Sequence, residues 1–125
     1  MASEGVLEEI RARLEERIKR QLSGLQGFVV RPMYNSMMPL HVEVSSVPEV
    51  FEFVFLKDGI VELRHGYGAP ADVRIETDRQ TFMSLFQNSS AELFNELERQ
   101  RKIRITSLTK KGKDAEGYIR RYLTG

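Results

Sequence analysis

Residues 71–108 read ADVRIETDRQTFMSLFQNSSAELFNELERQRKIRITSL. Val73 and Ile75 alternate with Asp72, Arg74 and Glu76, which predicts a half-buried strand over residues 71–77. Thr77 with Gln80, and Ser89 with Glu92, each have the spacing of a capping box. Two short helices are therefore expected, at about 78–87 and 90–101. Residues 102–108 alternate again, with Ile103 and Ile105 inward. The order is strand, helix, helix, strand. Its helices carry Phe82, Met83, Leu85, Phe86, Leu93, Phe94 and Leu97 and no catalytic constellation. A unit rich in soft apolar side chains and poor in reactive groups suits holding an apolar ligand or partner better than transforming a substrate.

Upstream, Leu7, Ile10, Leu14, Ile18, Leu22 and Leu25 recur every three or four residues, predicting a helix over 4–25. Glu9–Arg13, Glu15–Lys19 and Glu16–Arg20 are Glu-before-base pairs four apart, each worth a few tenths of a kcal/mol. Gly24 and Gly27 are expected to end this helix. Its stripe suits either the core or a dimer seam. Residues 28–39, between Pro32 and Pro39, read as irregular. Their methionines Met33, Met37 and Met38 are either a flexible cap on an apolar cavity or an ordinary loop tucked on the core.

Three strands follow, over 40–45, 50–57 and 60–65. Phe51, Phe53 and Phe55 share one face, and Lys57-Asp58-Gly59 is a hairpin turn because Asp-Gly tolerates positive φ. Glu43, Glu52, Glu62, Arg64, Arg74, Glu76 and Arg104 fall on the opposite face of the predicted sheet, expected to meet solvent. One buried and one solvated face point to an antiparallel sheet covered on one side. The last helix, about 112–123, places Ala115, Tyr118, Ile119, Tyr122 and Leu123 on one apolar face.

Length bounds these readings. A chain of 125 residues suits one domain, with a core sufficient without a staple. Cysteine is absent, which removes thiolate chemistry and sulfur-ligated metal. The acidic, amphipathic start is unlike a signal peptide, and no apolar run approaches the roughly 20 residues needed to span a bilayer, so a cytoplasmic protein is expected. Charge is unevenly spread. Residues 1–98 hold 10 Lys+Arg against 16 Asp+Glu, and residues 99–125 hold 9 against 2. The basic end either folds against the acidic remainder or faces phosphates.

His41 and His65 have no partner at metal-ligand spacing, and paired acids such as Glu52 and Glu62 alternate toward solvent. No nucleophile elbow, phosphate loop or dinucleotide fingerprint is present. Neither an enzyme nor a cofactor is expected. Specific nucleic-acid binding is also disfavoured, because Tyr118 and Tyr122, the aromatics of the basic end, lie on the apolar helix face.

The strand ending in Thr-Asp that enters the Phe/Leu-rich helix, the Lys-Ile-Arg-Ile strand after the helix pair, and the LKDGIVEL hairpin together resemble the sterol carrier protein 2 family. The likeness runs from Leu7 onward and is best over 50–108. It departs at residues 107–113, where a small-residue turn is replaced by Ser-Leu-Thr-Lys-Lys-Gly-Lys, and in the added Met-rich segment. The resemblance implies a single α+β domain: a five-stranded, mainly antiparallel sheet with helices packed on one face. It further implies an apolar tunnel between the layers for a fatty acyl, isoprenoid or sterol-like lipid. Its expected lining is Phe51, Phe53, Phe55, Leu63, Phe82, Phe86, Phe94, Leu97, Leu108, Tyr118 and Tyr122. The last helix is the expected gate. Lys110, Lys111, Lys113, Arg120 and Arg121 are the expected contacts to an anionic membrane surface. A closed-core scaffold that dimerises or serves a partner enzyme is the alternative.

Overall fold

The structure, a computed structural model, describes residues 2–46, 49–65, 70–87 and 90–124. Helix α1 spans Ala2–Gln21 and α2 spans Gly24–Ser36. Strands β1 (Leu40–Ser46), β2 (Glu49–Phe55) and β3 (Val61–His65) form a meander. Then come β4 (Val73–Thr77), α3 (Arg79–Gln87), α4 (Ala91–Arg99), β5 (Ile103–Ser107) and α5 (Lys110–Thr124).

The sheet order is β3-β2-β1-β4-β5. Three pairings are antiparallel, and β1 with β4 is parallel. The sheet is thus mixed. Alternation reports which face is buried, not strand direction, and β4 returns beside β1 only after the chain has passed the meander. The inner face presents Val42, Val44, Phe51, Phe53, Phe55, Val61, Val73, Ile75 and Ile103, all buried, to the helices.

The stripe on α1 is core. Leu7, Ile10, Leu14, Ile18 and Leu22 are each at most 4% exposed. The three expected ion pairs form, at 2.9, 3.1 and 3.0 Å. Glu15 also accepts from Val61 N–H, and Arg11 donates to Val61 O, so one turn of α1 is tied to β3. Burial raises the Glu15 carboxyl. Hydrogen bonds from Val61 and Lys19 and the charges of Lys19 and Arg11 outweigh it, and the carboxyl ends below its ordinary range.

Three expectations are corrected here. Residues 28–39 are mostly helical: α1 stops before Ser23, Gly24 takes φ +73°, and α2 then runs through Pro32. Both Pro32 and Phe28, the residue whose carbonyl loses its donor to the proline, are exposed. Gly27 lies inside α2, and Leu25 is not on the α1 stripe but 86% exposed. Second, the cap of α3 is Asp78, whose carboxylate accepts from Thr81 N–H at 2.8 Å and Thr81 Oγ1 at 2.7 Å; Thr77 Oγ1 instead donates to Lys102 O. The cap of α4 is Ser90, accepting from Leu93 N–H, while Ser89 lies outside the described residues. Third, the outer sheet face is not uniformly solvated. Glu43, Glu52 and Asp72 are 6%, 3% and 7% exposed. The Asp-Gly turn forms as expected, with Asp58 at φ 63° and Gly59 at φ 84°.

Helix α5 is seated by Gly112. A Cβ there would lie 2.0 Å from the Asp72 carbonyl oxygen, whereas one on Gly117 meets nothing within 4 Å. Gly112→Ala is therefore expected to lose several kcal/mol, or to fail to fold, because backbone must move. Gly117→Ala is expected to gain about 0.5–1 kcal/mol from helix propensity. Thermal unfolding of the two variants checks both signs.

The Asp78 carboxyl is held below its ordinary range by its side-chain and backbone hydrogen bonds from Thr81. A depressed carboxylate stabilises the fold fully above its unfolded pKa of about 4, and the contribution disappears as pH falls through the folded value. Asp78→Ala should cost about 1 kcal/mol at neutral pH, and the gap from wild type should shrink toward pH ~2. Denaturant melts at the two pH values measure it; an unchanged gap contradicts the cap.

Candidate functional site

The aromatic side chains predicted to line a tunnel converge between β2 and α3. Phe51 meets Phe53 at 5.5 Å and Phe82 at 5.9 Å between ring centres, Phe53 stacks on Phe82 at 6.3 Å, and Phe82 meets Phe86 at 5.3 Å. On the other side Phe55 meets Tyr122 of α5 at 6.4 Å. Phe94 and Leu97 of α4 are also buried. Leu63 and Tyr118 are half-buried against this core. Leu108 is 42% exposed. It has the parity of Arg104 and Thr106, which places it off the inner face, and its N–H bonds Asp72 O where the chain leaves the sheet.

These side chains meet each other, leaving little room. The space bounded by Leu14, Val42, Phe53, Phe55, Ile75, Phe82, Ile119, Tyr122 and Leu123 is about 10 Å³. That is about one water-sized sphere and far below the roughly 300–1,000 Å³ of a ligand cavity. The layer interface is a sealed seam in this conformation.

Helix α5 borders this space through Ile119, Tyr122 and Leu123, whereas no residue of α2 is in its wall. Helix α5 is latched along its length. Thr109 Oγ1 donates to Asp72 at 2.8 Å, Lys111 Nζ to Pro39 O at 2.7 Å, and Arg120 Nη1 to Glu98 at 3.1 Å. Arg17 Nη1 donates to Tyr122 O at 2.5 Å, and Tyr122 Oη to Gln21 at 2.8 Å. Helix α2 has weaker ties: Arg31 to Leu22 O at 3.4 Å, and Asn35, which exchanges bonds with Asp58 at 3.0 and 3.4 Å. Its inward anchor is Tyr34, 1% exposed. The Tyr34 hydroxyl is buried and has no hydrogen-bond partner among the described residues. Burial, with Tyr122 and Glu15 nearby, pushes that phenol above its ordinary range.

Met37 and Met38, just past α2, pack partly buried on the core, while Met33 is 56% exposed on the outer side of α2. An apolar groove of about 600 Å³ runs along the α1–α2 corner, with Leu22, Leu25, Gly27, Phe28 and Pro32 in its wall. The 3.6-residue spacing of Leu25, Phe28, Val29, Pro32 and Met33 is the signal that could have found this surface; Gly24, Gly27 and the prolines obscured it. Of the expected basic contacts, Lys110, Lys113 and Arg121 are exposed. Lys111 and Arg120 are engaged as above.

On the outer sheet face, Glu43 and Glu52 stand directly opposite each other on β1 and β2. Arg74 bonds Glu43 at 2.6 Å, and His41 Nδ1 makes a short contact to Glu52. His41 is thus half-buried in a charge row rather than a free surface imidazole. A second, mixed-charge groove of about 910 Å³ lies by the ends of β4 and β5, walled by Glu76, Asp78, Glu98, Arg101, Lys102 and Arg104 among others. Among the described residues no group of three His, Asp or Glu could hold a metal ion.

No family model and no curated protein matches the chain. Solved structures do. UbiJ-SCP2, a ubiquinone synthesis protein, is 10% identical over 90% of this chain and 96% of its own, with a TM-score of 0.53. Sterol carrier protein 2 like 2 from Aedes aegypti is 12% identical over 94% of this chain and 96% of its own, with a TM-score of 0.56. The chain has a sterol-carrier-protein-2-like fold. In this sterol-carrier-like arrangement the aromatic seam lies between the sheet and helix layers. Identities this low establish the architecture alone.

Tyr34→Phe removes the unpaired hydroxyl while keeping the ring. It should stabilise the domain by about 1 kcal/mol, since an unsatisfied buried group costs about 1–3. A lower unfolding midpoint for this variant would mean that the hydroxyl has a partner after all.

Proposed function

We propose that this domain binds a hydrophobic lipid, of fatty acyl, isoprenoid or sterol-like type, between its sheet and helices and presents it without altering it. The observation that carries this reading is the seam itself: a continuous aromatic wall between the sheet and helices α3 and α5. The sterol-carrier-like fold of the chain supports it. The binding force is burial of methylenes at about 0.8 kcal/mol each, on the order of 10 kcal/mol for a twelve-carbon chain before ordering costs. Phe51, Phe53, Phe55, Phe82, Phe86, Phe94, Leu97 and Tyr122 supply the wall; Leu63 and Tyr118 lie at its margin.

A second reading, an interaction module serving a partner, is favoured by the near-absence of free space in the interior. The two readings separate by experiment. The lipid reading predicts a lipid retained through purification and seen by native mass spectrometry. It also predicts micromolar binding of a fluorescent fatty acid. No retained lipid, together with no fatty-acid binding, leaves the interaction module.

A further inference from the structure

The sheet has two edges, and they are treated differently. At β3, Glu15 accepts from Val61 N–H and Arg11 donates to Val61 O, so side chains of α1 occupy that edge. At β5, Thr77 reaches the Lys102 carbonyl just before the strand. Among the described residues no side chain bonds the backbone of Ile103–Ser107. The mixed-charge groove of about 910 Å³ takes Ile103, Arg104 and Ile105 into its wall. These consecutive residues have both parities, so the groove follows the strand rather than one face of the sheet. An edge strand carries a row of unpaired N–H and C=O groups, which is a template for a further strand.

A strained residue stands at the entry to this strand. Lys102 N–H donates to Leu97 O at 2.9 Å and Arg101 N–H to Glu98 O at 3.1 Å, which ends α4 in a Schellman motif. The left-handed position of that motif favours glycine, yet here it is Arg101, at φ 62°. Arg101 lies in the groove wall, and strain kept at such a place points to a use for its side chain. Arg101, Lys102 and Arg104 are exposed, and among the described residues none of them makes an ion pair. The acids of the wall are largely committed. Glu98 holds Arg120, and Asp78 caps α3 through Thr81, with Lys102 near enough to act on its charge. Glu76, opposite Arg104 across the β4–β5 ladder, is the remaining one. The charge left to offer is basic.

We propose that β5 takes an acidic, extended peptide segment of a partner protein as a sixth strand. Backbone groups of β5 pair with the segment, and Arg101, Lys102 and Arg104 meet its carboxylates. A second copy fits less well, because its β5 reads IRITS and brings another arginine but no acid. A nucleic acid fits less well too, since phosphates accept hydrogen bonds but do not donate them to the carbonyls of an edge strand. The proposal goes beyond lipid binding and holds whether or not the aromatic seam takes a lipid.

The test uses a panel of short fluorescein-labelled peptides that alternate Val or Thr with Glu or Asp. Their anisotropy with the full chain should report binding that weakens with added salt. Peptides with Lys in place of the acids should not bind. N-methylation of alternate backbone amides should abolish binding in one of its two phases, because a blocked N–H cannot join the ladder. Arg101→Gly should raise the unfolding midpoint by about 3–5 °C, since it relieves the left-handed arginine, and still weaken binding about fivefold. Arg104→Glu should weaken it about tenfold. Binding by no member of the panel overturns the proposal. So does binding that survives both N-methylation patterns, or that neither variant weakens. Tighter binding of an oligothymidylate that both variants reduce also overturns it, because the groove then belongs to phosphates. Failure of fatty-acid binding overturns only the lipid reading and leaves the peptide result standing.

Discussion

Buried Asp72 is the junction on which this fold depends. Its backbone N–H and carboxylate both bond the backbone of His41, joining β4 to β1 at the parallel pairing. Its carbonyl receives Leu108 N–H, closing β5 onto β4, and its carboxylate receives Thr109 at the start of α5. Gly112 then lies against the same carbonyl, too close for any side chain. One residue thus fixes the ends of three strands and the docking of a helix. A buried carboxylate is tolerated only with such partners, because an uncompensated charge in that position is strongly destabilising.

With the β4–β5 end of the sheet fixed, the apolar surface of the chain divides into two parts. The inward part, centred on Phe53 and Phe82, is satisfied by mutual packing and leaves almost no space. The outward part, on α2, is covered by nothing among the described residues. The same helix carries both extremes, since Tyr34 faces in and Phe28 faces out.

Much of this was legible in the chain. The α1 stripe, its three ion pairs, the Asp-Gly turn and the inner face of β2 follow from spacing alone, because each depends on neighbours within four residues or on strict alternation. The sterol-carrier-like order of elements was likewise readable from residues 71–108. The misreadings share one cause, which is dependence on distant contacts. Proline and glycine argued locally against α2, yet the burial of Tyr34 and the exposure of Pro32 let it form. Thr77 had the spacing of a cap, but Lys102 on β5 claimed its hydroxyl and Asp78 took the role. Glu43 and Glu52 alternate toward solvent, but on a central pair of strands Arg74 and His41 close over them. Whether the aromatic wall encloses space could not be read from periodicity, since a core and a collapsed cavity share one pattern.

The parallel pairing of β1 with β4 bears on how the chain acquires its structure in time. The pairings within β1–β2–β3 join residues close in sequence, whereas Val42 must find Val73 across the whole meander. Closing a longer loop is entropically dearer, though only logarithmically, and nonlocal pairings slow the search. The three-stranded half can therefore assemble while β4, β5 and α5 are still unattached. In that interval both the edge of β1 and the phenylalanine face of β2 stand open. Helices cover that face in the completed domain, so stray association through it is confined to partly assembled chains.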